Sequence, residues 1–364
     1  MFHSQGTVTR QAHVDVPAGT VEEEYGREGF FGPVTHLYRT HPPVDWTAID
    51  GDLRPAALDT GRVDGLVDDW VAGRRVLLRN ADCAIGFARL STPMPYYFRN
   101  ADGDDLLFVH DGAGQLECDF GNLTYRRGDY LLIPRGTVYR LAPTAPTATL
   151  VVQTTAPLGL PDRGIAGRHA LFDPAVIDVP VLGPVPERDR PWALRIQRLG
   201  RITTVTYPHN PITTVGWRGD LCVQRLNVDA IRPMMSERYH LPPTAHATWV
   251  AAGVVVCSFL PRGLEVGDPG ALKVPFYHSN IDYDEVLFYH DGDFFSRQGV
   301  GPGMLTHHPQ GIHHGPQPGA VRAAERKQRT NEQAVMIDTR QPLELTDAAL
   351  AASDPHYWTS WSTP

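Results

Sequence analysis

One stretch of this chain is written twice. Pro95-Tyr96-Tyr97-Phe98-Arg99-Asn100 returns 180 residues later as Pro275-Phe276-Tyr277-His278-Ser279-Asn280. The match runs on, with Asp102 through Gly112 lying against Asp282 through Gly292. A second block follows at an offset of 175, where Gly128, Pro134, Gly136 and Tyr139 fall on Gly303, Pro309, Gly311 and His314. A later apolar run also recurs, Leu150–Thr154 against Val335–Thr339. Short apolar runs cut by Asp-Gly and Pro-x-Gly turns read as strands. Their repetition confines the chain to two copies of one β-rich unit.

The rest of the composition suits that reading. Thirty-four glycines and 32 prolines spread over 364 residues favour many short strands over long helices. Two segments read as helical. Thr60 to Arg74 places Val63, Leu66, Val67, Trp70 and Val71 at helical spacing, and Thr346 caps the Ala-rich run that ends at Ser353. A net charge of −8, a pI near 6.0 and no basic block argue against nucleic acid or an anionic membrane as partner. The four cysteines are scattered without a CxxC pair, as expected of buried thiols in a reducing compartment. No leader-like N-terminus and no apolar run of membrane-spanning length stand out, so the cytoplasm is the expected location.

The repeated blocks resemble the two motifs of the cupin superfamily. The first is His-x-(His/Asn), a short gap, Glu, six residues, Gly, here His278, Asn280, Glu285 and Gly292. The second is Gly-x5-Pro-x-Gly-x2-His, here Gly303, Pro309, Gly311 and His314. The resemblance implies a mainly β bicupin: two double-sheet, jelly-roll-type barrels with few short helices. The halves differ where chemistry would sit. His278, Glu285 and His314 form a two-histidine, one-carboxylate set, which holds a divalent ion and leaves positions open for substrate and dioxygen. The first half has Phe98, Asp105 and Tyr139 there, so metal is expected only in the second half. Its proline and glycines are retained because they shape turns.

Taken in order, residues 1–200 are read as an N-terminal degenerate cupin domain, with its barrel at about 80–157 and a connector behind it. Residues 201–364 are read as the metal-binding cupin domain and tail. The run Glu22-Glu23-Glu24 reads as a solvated face. His240 stands before Leu-Pro-Pro in a rigid loop, where catalytic groups concentrate. His307 and His313 are expected to point away from the metal because strand side chains alternate. His110, His246 and His290 read as structural or surface residues. The tail, with Trp358 and Trp361, should dock on the body of the protein or on a neighbour.

With these residues placed, the chain resembles the homogentisate 1,2-dioxygenase family. The resemblance spans Asn100 to Pro134 and His240 to Pro316, and it includes Tyr277-His278-Ser279-Asn280 and His314-Gly315-Pro316. It implies Fe(II) on His278, Glu285 and His314, with His240 as active-site base and His308 near the substrate. It implies a small aromatic substrate and dioxygen as reactants, homogentisate opened to maleylacetoacetate, and a homo-oligomer. Asn280 and Phe294 fall at substrate-side positions, Phe294 where the family has a tyrosine. That difference leaves room for another dihydroxy- or amino-hydroxy-aromatic substrate, or for a cupin isomerase. A non-catalytic ligand-binding bicupin is the third possibility, and the intact ligand set speaks against it.

Overall fold

The computed structural model describes residues 3–184 and 187–362. Met1 and Phe2, part of the stretch read as lacking a leader, lie outside them. The repeat is visible as identical strand pairing. In the first half, strand Asp104–Cys118 sets Leu106 opposite Val152 and Asp105 opposite Ile133. In the second, strand Asp284–Asp291 sets Val286 opposite Ile337 and Glu285 opposite His308. Each pair in one half is the repeat partner of the pair in the other. Gly112 and Gly292, the last residues of the first block, both have φ of 94°. A side chain at either would also collide with the backbone of the neighbouring loop, so both turns require glycine.

The first barrel is an 11-stranded sheet and the second is a six-stranded sheet. The six-stranded sheet is faced by three strands: Tyr277–Asn280, Val21–Gly26 and Val34–Arg39. The barrels share one apolar core. Phe108 and Phe288, equivalent residues of the two repeats, lie 6.4 Å apart there, and Phe87 packs 6.0 Å from Phe288. Each of these fully buried rings contributes on the order of 1.5–3 kcal/mol. His110 and His290, also equivalent, meet at the same junction with their Nδ1 atoms 3.0 Å apart.

The chain does not divide at residue 200. Strand Trp192–Arg198 pairs with Arg201–Tyr207 as a hairpin on the first barrel, and Gln224–Asn227 pairs with Asp129–Ile133 of that barrel. In the other direction, Ala56–Asp59 joins the second barrel beside Met304–His308. Val21–Gly26 runs parallel to Tyr277–Asn280, with Glu24 opposite His278. The C-terminal Glu344–Leu345 returns to the first barrel beside Arg79 and Leu78. The N-terminal segment therefore builds the second barrel, and the C-terminal segment helps close the first.

Two local expectations change. Glu22, Glu23 and Glu24 are 2%, 0% and 4% exposed, so the acidic run is buried rather than a solvated face. It is a strand covered on both sides, and each carboxylate meets Arg or His partners. The Thr60–Arg74 helix does not form beyond one 3₁₀ turn at Thr60–Arg62. Aspartates take the amides that a helix would need, since Asp59 accepts from Gly61 and Asp69 accepts from Val71 and Ala72. Val63 and Trp70 are nevertheless buried. The second helix forms as expected, at Asp347–Ala352, with the Thr346 side chain accepting from Ala349. All four cysteines are buried free thiols. Among the described residues, no helix is long and apolar enough to cross a membrane.

Candidate metal centre and its cavity

Three separate segments bring His278, Glu285 and His314 together. His278 stands on strand Tyr277–Asn280 and Glu285 is the second residue of strand Asp284–Asp291. His314 follows the Pro-Gln-Gly turn and pairs across to His278 through an isolated bridge. Glu285 Oε2 lies 3.4 Å from His278 Nε2 and 3.9 Å from His314 Nε2, and the two imidazoles stand edge to face at 4.8 Å. One ligand atom from each of the three falls within 4.8 Å of the others.

The donor set fits a divalent ion. His278 Nδ1 is held by the Phe276 carbonyl at 3.1 Å, which leaves Nε2 facing the carboxylate. An outer hydrogen bond that fixes the ring in this way is usual for metal-binding histidine. Burial alone would raise Glu285, but hydrogen bonds from His278 and His308 and the nearby His314 hold it well below the usual carboxylate range. Burial pushes His314 well below the ordinary histidine value, which favours the neutral ring a metal needs.

The supporting residues are specific. His308 was read as a residue facing the substrate. Its Nδ1 instead lies 2.7 Å from Glu285 Oε1 and its Nε2 lies 3.4 Å from Tyr357 Oη. The reason is register: His308 is the cross-strand neighbour of Glu285 inside the barrel. His307, one residue earlier, points the other way to Asp284 at 2.8 Å. His313 contacts Glu23, which also accepts from Ser279 at 2.9 Å. Glu23 thus clamps the neighbours of His278 and His314 at once. The tail docks on the body: Trp361 Nε1 donates to Gly315, next to His314, at 3.1 Å.

A cavity opens on the metal-binding face, and His240, His246, His278 and Glu285 line it together with Arg262 and Arg297. Phe259, Phe276 and Leu287 supply apolar wall. His240 Nδ1 sits 3.2 Å from Glu265 Oε1, and the other oxygen of Glu265 accepts from Val274. Burial lowers His240 to about 4 against the pull of Glu265. Asn280 is buried, and its side-chain oxygen accepts from Gly29. Phe294 packs on Tyr289 at 4.9 Å and is not among the residues lining this cavity.

Several residues here escaped sequence reasoning. His246, read as structural or surface, is 2% exposed, lines the cavity and has an unpartnered Nδ1. Arg262 is buried with Nη1 unpartnered, and Arg297 reaches Glu285 at 3.5 Å. The available signal was charge in an apolar run, since Arg262 and Glu265 interrupt the stretch from Val254 to Val266.

Comparison with known proteins fits this geometry. Residues 44–227 match a family model described as the N-terminal part of homogentisate 1,2-dioxygenase. A Saccharolobus solfataricus protein, provisionally named a dioxygenase, is 31% identical over 100% of this chain and 99% of its own length. The homogentisate 1,2-dioxygenase of Sinorhizobium fredii is 26% identical over 69% of this chain and 58% of its own length. The chain thus spans about three fifths of that enzyme. Among solved structures, protein Ylba from E. coli is 11% identical over 82% of this chain and 95% of its own, with a TM-score of 0.35. Two barrels of one repeat, each closed by the same turns, make the fold a bicupin. The chain belongs to the homogentisate 1,2-dioxygenase family.

Proposed function

We propose that the protein is an Fe(II)-dependent dioxygenase that opens a hydroquinone-type aromatic acid, with homogentisate the first candidate and maleylacetoacetate its product. One observation carries the reading. The His278–Glu285–His314 set borders an apolar-walled cavity that also holds the buried guanidinium of Arg262, whose Nη1 has no hydrogen-bond partner. A bound iron(II) supplies open positions at which a phenolate and dioxygen meet.

The chain's own residues do the rest. Phe259, Phe276 and Leu287 hold the ring and exclude water. Arg262 Nη1, which has no other hydrogen-bond partner, donates to the substrate carboxylate. His240, with Nδ1 tied to Glu265, presents Nε2 as the base that takes the phenol proton. His308 acts through Glu285 by fixing the carboxylate that it touches. Asn280 positions the metal-bearing strand, and Phe294 shapes the cavity from behind through Leu287. The apolar wall of Phe259, Phe276 and Leu287 favours a second reading, a less polar hydroquinone or an aminophenol as substrate. Soluble homo-oligomers in the cytoplasm are the setting this reading takes from the family.

The test is oxygen uptake by iron-loaded protein in air, with homogentisate, other hydroquinones and aminophenols. One oxygen consumed per homogentisate, with the spectrum of a ring-opened diketo acid, is expected. Uptake with another ring alone would move the protein to the second reading, and uptake with none would end both.

A further inference from the structure

The N-terminal hairpin carries a second set of metal-type ligands. Val21–Gly26 and Val34–Arg39 pair antiparallel, with Glu24 opposite His36. Glu24 is also opposite His278 on its other side. His36, Glu24 and His278 therefore form a row across three strands, and paired side chains share a face of the sheet. His13, on the preceding segment, folds over that face. Its ring lies 4.7 Å from His36 and 4.9 Å from Phe276.

Within this cluster, one ligand atom each from His13, Glu24 and His36 falls within 4.8 Å of the others. His13 Nε2 is 3.6 Å from Glu24 Oε2, close to the ligand–ligand separation of about 3.3 Å that tetrahedral zinc bonds of about 2.0 Å impose. Behind His13, Glu22 accepts from the His13 backbone amide at 3.0 Å and brings Oε1 within 2.8 Å of Nδ1, a ring nitrogen that has no hydrogen-bond partner of its own. Glu24 Oε2 and His36 Nδ1 are buried without a hydrogen-bond partner. His13 and Glu24 are 6% and 4% exposed. Glu22 and Glu24 put two carboxylates in the interior, and among the described residues their ion-pair partners are histidines only. Arg39 serves Glu23 on the opposite face. A buried carboxylate without a compensating cation is costly, and a divalent ion would supply the missing charge.

We infer that His13, Glu24 and His36 bind a second divalent ion of the zinc type, with Glu22 orienting His13. Three protein ligands leave its fourth position to water. The ion pins the hairpin and the His13 segment to the strand that carries His278. This site is independent of the reading given to the first, because it shares no ligand with it.

The experiment uses the full chain carrying His278→Ala and His314→Ala, so that the first site is gone. After treatment with a chelator, the protein is titrated with Zn(II) by calorimetry and its thermal unfolding is followed with and without the metal. One equivalent of zinc and a higher unfolding temperature on binding are expected. Adding His36→Gln, a near-isosteric change at a partly exposed position, should remove both while the circular dichroism spectrum stays folded. His13→Gln should do the same. A folded first-site variant that takes up no zinc overturns the proposal and leaves a metal-free His–Glu cluster. Undiminished zinc uptake by the His36→Gln and His13→Gln variants overturns it equally.

Discussion

The two barrels place different chemistry at the same point of the same scaffold. In the second, Glu285 is surrounded by His278, His308 and His314. In the first, the equivalent Asp105 is equally buried but is met by Arg74, with Nη1 at 3.1 Å and Nη2 at 2.5 Å. Tyr139, in the place of His314, donates to Asp105 at 3.2 Å and accepts from Trp70 at 2.9 Å. Phe98, in the place of His278, packs edge to face on Tyr139 at 5.6 Å. Burial alone would lower Arg74, yet Asp105 holds its pKa up. Both barrels keep a carboxylate at this depth, and both must compensate it. One does so with a guanidinium that pairs with both carboxylate oxygens, and the other with three histidines suited to a metal and a more distant guanidinium, Arg297, at 3.5 Å. The degenerate site is therefore a closed ion pair rather than an empty pocket.

The comparison breaks most sharply at the ligands. Glu285→Ala or His314→Ala should remove iron and bring turnover to background, whereas Asp105→Ala should leave iron content and turnover unchanged and lower stability. Elemental analysis beside oxygen uptake reads both, and iron retained by Glu285→Ala would contradict the assignment. His240 has no counterpart in the first half. His240→Ala should keep its iron and lose roughly 100- to 10,000-fold in kcat. Loss of iron in that variant would make His240 a ligand or a support instead of a base. Arg74→Met strands Asp105 and should cost about 3–5 kcal/mol in denaturant unfolding, while the double change Arg74→Met with Asp105→Leu should recover most of it. If the double variant is no more stable than the single, the first barrel is not held by this pair.

What the sequence revealed follows from what repeats. The turns and the strand registers recur at fixed offsets, so the positions of Glu285 and His314 were legible against Asp105 and Tyr139, where the residue types change. Strands borrowed across the chain were not. Glu23 pairs with Tyr277, and nothing local in Glu-Glu-Glu-Tyr announces a parallel partner so far away. Three consecutive acids also hide strand alternation, although Glu23 faces His313 while Glu22 and Glu24 face His13. The helix expected after Thr60 failed for a different reason: apolar spacing was correct, but aspartate side chains competed for the backbone. The Arg262 and Glu265 side of the cavity has no counterpart motif in the first half, so its charges in an apolar run were the signal that remained.

The smallest expected effect lies where the halves are alike. His110 and His290 face each other through Nδ1, and that contact needs one nitrogen protonated and the other bare. Burial lowers His110 to about 4, helped by Arg127 and Arg89 and opposed by Asp111 and Asp291. Burial likewise lowers His290 to about 3, helped by His110 and Arg127 and opposed by the same two aspartates. Phe108 and Phe288 cover the pair and bring no charge. Unfolded histidine titrates near 6.5. Between that value and the folded ones, the unfolded chain binds more protons than the folded chain, so acid favours unfolding. The contribution is whole above about pH 6.5 and falls as pH drops toward 4. Because His110 is partly exposed, solvent screens part of the shift, and a loss of roughly 2 kcal/mol between pH 7 and 4.5 is expected. His290→Gln keeps a neutral partner for His110 and removes one titrating group. Urea midpoints measured at both pH values should fall less in this variant than in the wild type. Any metal released by acid acts on both proteins alike and drops out of the difference. Equal falls would mean that the junction between the barrels does not sense protonation at this pair.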